Sequence, residues 1–123
     1  MKGVRLYNSA DFEQVRAIAL KFPGAEEAIS HEGTPSIKVR GKLMSRLHDN
    51  GEFIPIRLDF QYHEHYLISY PEVFHIPDHY KNYPYICMWV NSCKDDVLKE
   101  LLELSWRALA SKKQIQEWES RGG

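Results

Sequence analysis

In "NSADFEQVRAIALKFPG", apolar residues return at three- and four-residue steps. Phe12, Val15, Ile18, Ala19 and Phe22 share one face, which predicts an amphipathic helix. Ser9 is its expected N-cap, Asp11 and Glu13 favour the positive end of its dipole, and Pro23-Gly24 stops it. The period then changes to two. In "GTPSIKVRGKLMSRLH", Ile37, Val39, Leu43 and Leu47 take odd positions, whereas Lys38, Arg40, Lys42, Arg46 and His48 take even ones. Alternate residues of a strand face opposite sides. The pattern therefore predicts a hairpin with its aliphatic side chains inward and its cations in water. An odd-length tip, Arg40-Gly41-Lys42, keeps both strands in phase with Gly41 at positive φ; a two-residue turn would put Val39 and Lys42 on one face.

"DNG" at 49–51 is a turn signal leading into "EFIPIRLDF", where Ile54, Ile56, Leu58 and Phe60 alternate with more polar positions. Pro55 has no N–H to give a ladder, so this strand is expected at an edge or bulged. "QYHEHYLISYPE" reads as a short helix ended by Pro71, "VFHIP" as a short strand, "DHYKNYP" as a polar, aromatic-rich loop and "YICMWV" as a largely buried strand. The clearest helix is "NSCKDDVLKELLELSWRALA". Val97, Leu98, Leu101, Leu102, Ser105, Ala108 and Leu109 form its stripe, and Ser92 and Asp95 stand at capping-box spacing. The tail is expected to stay helical through Ile115 and Trp118 and then fray. Helix, three strands, short helix, one or two strands, helix is the order of an α+β domain: a two-layer sandwich whose antiparallel sheet carries helices on one face. With no repeats or linkers in 123 residues, a single domain over 1–123 is expected.

Composition narrows the class. A hydrophobic content of 43% with 12% aromatics indicates a folded chain. The apolar run "YICMWV" is far too short to cross a bilayer, and "MKGVRLYNSADF" has no apolar leader core, so a cytoplasmic protein without a membrane partner is expected. Net charge is −1, but it is unevenly spread. Residues 33–48 hold four of the sixteen basic residues and none of the seventeen acids, leaving twelve cations against seventeen acids elsewhere. A basic stripe on an acidic body is not the footprint of a strong nonspecific nucleic-acid binder. Cys87 falls in an apolar run and reads as core, while Cys93 lies near a helix start, where thiols can acidify, with no partner identifiable from sequence.

Motifs for chemistry are sparse. On a helix, His63 and His65 would point about 200° apart, and His75 and His79 straddle Pro77. No H-E-x-x-H or zinc-type cysteine pair accompanies the six histidines, so neither metal nor cofactor is expected. No G-x-S-x-G, P-loop or G-x-G-x-x-G is present, and no base is placed beside Ser36 or Ser45. Glu26-Glu27 and Asp95-Asp96 lie near helix ends, where capping or solvent suffices. The expectation is a protein that is not an enzyme and has no small-molecule substrate.

Laid out this way, the chain resembles the MmcQ/YjbR family of small bacterial proteins. The resemblance runs from "FPG" through "GTPSIKVRGK" and "PEVFHIPDHYKNYPYI" to "LLELSWRALASKK". It implies a two-layer fold similar to secretion-chaperone-like domains and DNA binding through a "double wing" of loops. On the "GTPSIKVRGK" motif, Lys38, Arg40 and Lys42 with Gly41 at the tip are the contacts it implies; parity alone adds Arg46. Four cations on one strand face suit successive phosphates of double-stranded DNA, and a two-stranded ribbon fits a major groove. The same cations equally suit a solvated sheet face that discourages edge pairing. His79, Tyr80, Lys81 and Tyr83 mix charge with stacking surface, as a second wing would, although Tyr83-Pro84-Tyr85 also reads as a rigid turn with Tyr85 in the core. The alternative function is a protein-binding adaptor or weak homodimer that uses an open sheet face or the tail bearing Trp118.

Overall fold

The computed structural model describes residues 7–122. Residues 1–6, part of the start expected to lack a leader, and Gly123, the end of the stretch expected to fray, lie outside it. Six strands form one antiparallel sheet: β1 (Ala25–Ile29), β2 (Pro35–Val39), β3 (Lys42–Arg46), β4 (Phe53–Arg57), β5 (Phe74–His75) and β6 (Tyr85–Trp89), in spatial order β1-β2-β3-β4-β6-β5. The helices are α1 (Glu13–Ala19), α2 (His63–Ser69), α3 (Asp95–Leu109) and α4 (Lys112–Ser120). Helices α1 and α3 pack on each other and on β2, β3 and β4. The chain is thus an α+β sandwich with its helices on one face of an antiparallel sheet. No helix among the described residues is long and apolar enough to cross a membrane.

Each helix follows from its apolar stripe, but the caps differ from those expected. Asn8, one residue before Ser9, accepts from the Ala10 N–H and opens a 3-10 turn over Ser9–Phe12 that runs into α1. Ser92 donates its hydroxyl to the Trp89 carbonyl at 2.6 Å instead of capping α3, which begins at Asp95 without a side-chain cap. The capping box lies farther on. Ala110 turns extended (φ −74°, ψ 153°) and ends α3. Ser111 then accepts from the Gln114 N–H, while the Gln114 amide oxygen accepts from the Ser111 N–H. The tail is consequently a separate helix rather than a continuation.

That break folds the tail onto the core. Trp106 is fully buried, donates its indole N–H to the Pro23 carbonyl at 2.8 Å and stacks on Phe22 at 5.3 Å. Trp118 of α4 closes against Phe22 at 4.8 Å and Trp106 at 5.9 Å, so the tryptophan considered for partner binding is half-buried in the helical layer. Gly24, at φ +79°, lets this closure happen: a Cβ there would lie 2.1 Å from Nε2 of Gln114. On α3 the buried stripe includes Trp106, while Ala108 is exposed.

The sheet contains a strand the alternation did not predict. "AEEAI" is short and rich in residues depleted from strands, yet it pairs with β2 from Ala25↔Val39 to Ile29↔Pro35 as the edge strand β1. Pro55 lies in β4, which is internal, between β3 and β6. Its carbonyl faces β3 and accepts from the Ser45 hydroxyl at 2.8 Å. In an antiparallel strand a residue's N–H and C=O point the same way, so the missing donor falls on that side. The β3–β4 ladder there narrows to the single register pair Ser45↔Ile56. The strand ends at Arg57: Leu58 is still buried, but Phe60 begins a 3-10 turn and is exposed.

The hairpin also differs in its turn. Arg40 and Gly41 both take positive φ, 54° and 76°, forming a two-residue turn with Val39 opposite Lys42. Positive φ at both central residues is the turn that matches strand twist. The parity problem is solved by a β-bulge: Lys38 pairs with Leu43 and Ile37 with Ser45, leaving Met44 as the extra residue. Met44 and Ser45 are fully buried, and Leu43, expected inward, turns to the helix-free face beside Lys38. Ile37, Val39 and Leu47 remain inward, as alternation predicts.

Candidate nucleic-acid interface

The register puts Lys38, Leu43, Arg46, Phe53, Pro55, Tyr85, Cys87 and Trp89 on the face of the sheet opposite the helices. The segment after β5 crosses this face. Within it, a 3-10 turn at Asp78–Tyr80 presents Tyr80 to Arg46, whose Nη2 donates to the phenol oxygen at 3.2 Å. Tyr80 also meets Phe53 at 6.5 Å and Tyr85 at 6.0 Å, edge-on in both cases. A depression of about 260 Å³ results, walled by Leu43, Arg46 and Pro55 from the sheet, His79, Tyr80 and Tyr83 from the crossing segment, and Tyr85 at the start of β6. Tyr85 therefore faces this depression rather than the core, and its hydroxyl donates to the Leu43 carbonyl at 3.5 Å.

The sequence-predicted residues divide by what they touch. Arg46 is the innermost, its side chain only 13% exposed; a Glu32 carboxylate stands 3.4 Å away, and Leu47 O accepts a second bond. Arg40 is exposed at the turn, but its guanidinium reaches the Leu109 carbonyl at 3.4 Å, where the end of α3 offers partial negative charge. Gly41 supplies the turn and contacts nothing within 4 Å of where a Cβ would stand. Lys38 is half-buried, directly opposite Glu26 on β1 and Leu43 on β3. Lys42, Lys81 and His79 are exposed. Lys38, Lys42 and Lys81 form no ion pair with any described residue.

Burial tunes the titratable groups here. It raises the Tyr80 phenol above its ordinary range, with Arg46 opposing, and does the same to Tyr85 against Arg57 and Arg46. Both rings are therefore uncharged near neutrality. Beside the depression, His75 stacks on Trp89 at 3.9 Å and meets Phe53 edge-on at 5.2 Å, with His48 stacked on Phe53 at 4.4 Å. The His75 Nδ1 is buried without a described partner, and burial lowers the imidazole pKa. Cys87 is core, pushed up to about 12 chiefly by burial. Cys93 is pushed up to about 11, by burial first and then by Asp96 and Asp95, so it is the reverse of an acidified thiol. His63 is buried against the Leu58 carbonyl at 2.8 Å, whereas His65 is exposed. No group of three or more His, Cys, Asp or Glu side chains among the described residues is arranged to hold a metal.

Sequence reasoning missed Leu43 and Pro55 as wall residues and Glu32 as the counter-charge to Arg46. One signal for the bulge was present: Leu43 and Met44 are consecutive apolar residues in an alternating run. Nothing local marks Glu32, fourteen positions from its partner. A larger cavity, about 370 Å³, lies at the sheet edge among Phe12, Arg16, Glu27, Ile29 and Pro35. Among its described lining residues the one Arg or Lys, Arg16, is held by Glu27 at 2.6 Å. No family model matches the chain, and no curated protein matches it beyond chance similarity.

Proposed function

We propose that the protein binds the phosphate backbone of nucleic acid with the helix-free face of its sheet, using the β2–β3 hairpin and the 78–83 segment as paired contacts. The carrying observation is convergence: residues 34 apart in sequence, Arg46 and Tyr80, hydrogen-bond to each other and wall one depression. Lys38 and Lys81 are adjacent to its walls and lack ion-pair partners among the described residues, whereas Lys42, expected on the same face as Lys38, stands opposite the inward-facing Val39 on the helix side. Arg46 is largely neutralised by Glu32, so the lysines carry the contact. The resemblance to the MmcQ/YjbR family points the same way. Such binding is backbone-directed, because few base-reading side chains accompany the cations. Fluorescence anisotropy with a labelled duplex tests it: Lys38→Glu with Lys81→Glu should weaken binding at least about 10-fold at low salt. Unchanged affinity would refute the proposal.

A specific observation favours a second reading, a homodimer formed at the sheet edge. β1 is an edge strand, and Ile29 at its end is 70% exposed. Light scattering distinguishes this: a dimer that Ile29→Lys disperses supports it, and a monomer at high concentration rules it out.

A further inference from the structure

Phosphate contacts leave the chemistry of the depression itself unused. Its walls are mostly aromatic and aliphatic, and its volume, about 260 Å³, is below the roughly 300–1,000 Å³ of sites for drug-sized ligands. One planar ring system fits better than anything larger. Tyr83 stands at the rim 58% exposed, a large ring presented to water. Arg46 in the lining is countered by Glu32, so the charge it offers a bound anion is reduced and a neutral ring suits the interior better. Free charge lies outside: Lys38 faces Leu43 across the ladder, and Lys81 follows Tyr80. A flat neutral ring carrying anionic groups to either side is the repeating unit of a single nucleic-acid strand. In a duplex that ring is stacked and paired, and must be extruded before it can enter such a pocket.

We infer that the depression takes one unpaired nucleobase, stacked on Tyr83 between the Leu43 and Tyr80 walls, while Lys38 and Lys81 meet the flanking phosphates. The inference rests on the phosphate-binding reading above and makes the preferred ligand single-stranded rather than duplex.

Anisotropy titrations with three labelled probes of equal length, roughly 12 nucleotides, test both together: a thymidine strand, a strand abasic throughout, and a duplex. The thymidine strand should bind about 10-fold or more tighter than the abasic strand, in line with one aromatic–base stack. Tyr83→Ala should abolish most of that difference, while Tyr83→Phe should preserve it. Because Tyr83 is exposed, neither variant opens the core, and circular dichroism checks the fold. Equal binding of thymidine and abasic strands, both weakened by Lys38→Glu with Lys81→Glu, overturns the base pocket and leaves the phosphate reading standing. If none of the probes binds, or charge reversal changes nothing, both fail.

Discussion

His75 is held between rings, its Nδ1 buried and unpartnered among the described residues. Burial favours the neutral imidazole, so its folded pKa lies below the ordinary 6.5. The sign of the consequence follows from linkage. Below that ordinary value the unfolded chain takes up the proton more readily, so folding stability falls as pH falls, by at most about one proton from this group. Thermal melts from about pH 7.5 to about pH 5 should show a declining midpoint, with a flatter decline in His75→Phe, which keeps the ring and removes the titration. Equal slopes in both proteins would show that His75 contributes nothing to the acid sensitivity. Residue identity alone also made Cys87 legible as core. It could not reveal His75 as half of a stacked pair, because its partner Trp89 is brought alongside only by the β5–β6 register.

The hairpin shows how an element settles what parity leaves open. Arg40 sits at φ 54°, where an L side chain costs about 1–2 kcal/mol, and Gly41 at φ 76°. Asn is favoured at the first of these positions. Arg40→Asn should therefore stabilise the fold by about 0.5–1 kcal/mol, less the weak 3.4 Å contact with Leu109 O. Gly41→Ala should destabilise it by about 1–2 kcal/mol through backbone strain alone, since no atom lies within 4 Å of its Cβ position. Urea unfolding with unchanged m measures both. A loss of stability in Arg40→Asn would mean that the helix-end contact outweighs the turn. The existence of the hairpin, of α1 and of α3 was legible from period. The bulge was not, because alternation reports which residues prefer burial and not how many oppose each partner.

For the whole molecule, the question is how few cations carry the proposed binding. Two unpaired lysines beside the depression imply that log affinity falls with log salt at a slope of about −1.5 to −2. That amounts to roughly an 8- to 16-fold loss for a fourfold rise in salt. A slope near zero would exclude a phosphate interface, and one near −6 would place further contacts outside the hairpin and the crossing segment. The acidic body makes the shallow slope the natural expectation. The site was half legible: Lys38, Arg46, Tyr80 and Lys81 were all singled out from charge and aromatic pattern, as was Lys42, which the two-residue turn puts on the other face. Their convergence, the Glu32 counter-charge and the diversion of Arg40 to α3 come from contacts between distant segments, on which local composition is silent.

The order of apolar and polar residues by itself determined most element types, the α+β class, and the core positions of α1 and most of those of α3, because burial preference repeats with the period of the local backbone. Tertiary structure decided the edge strand β1, the separate helix α4, the bulge that turns Leu43 outward, and the depression walled by two loops. Each of those depends on which distant chain segment supplies the missing hydrogen bond, packing surface or counter-charge, and that choice is made only when the whole chain closes on itself.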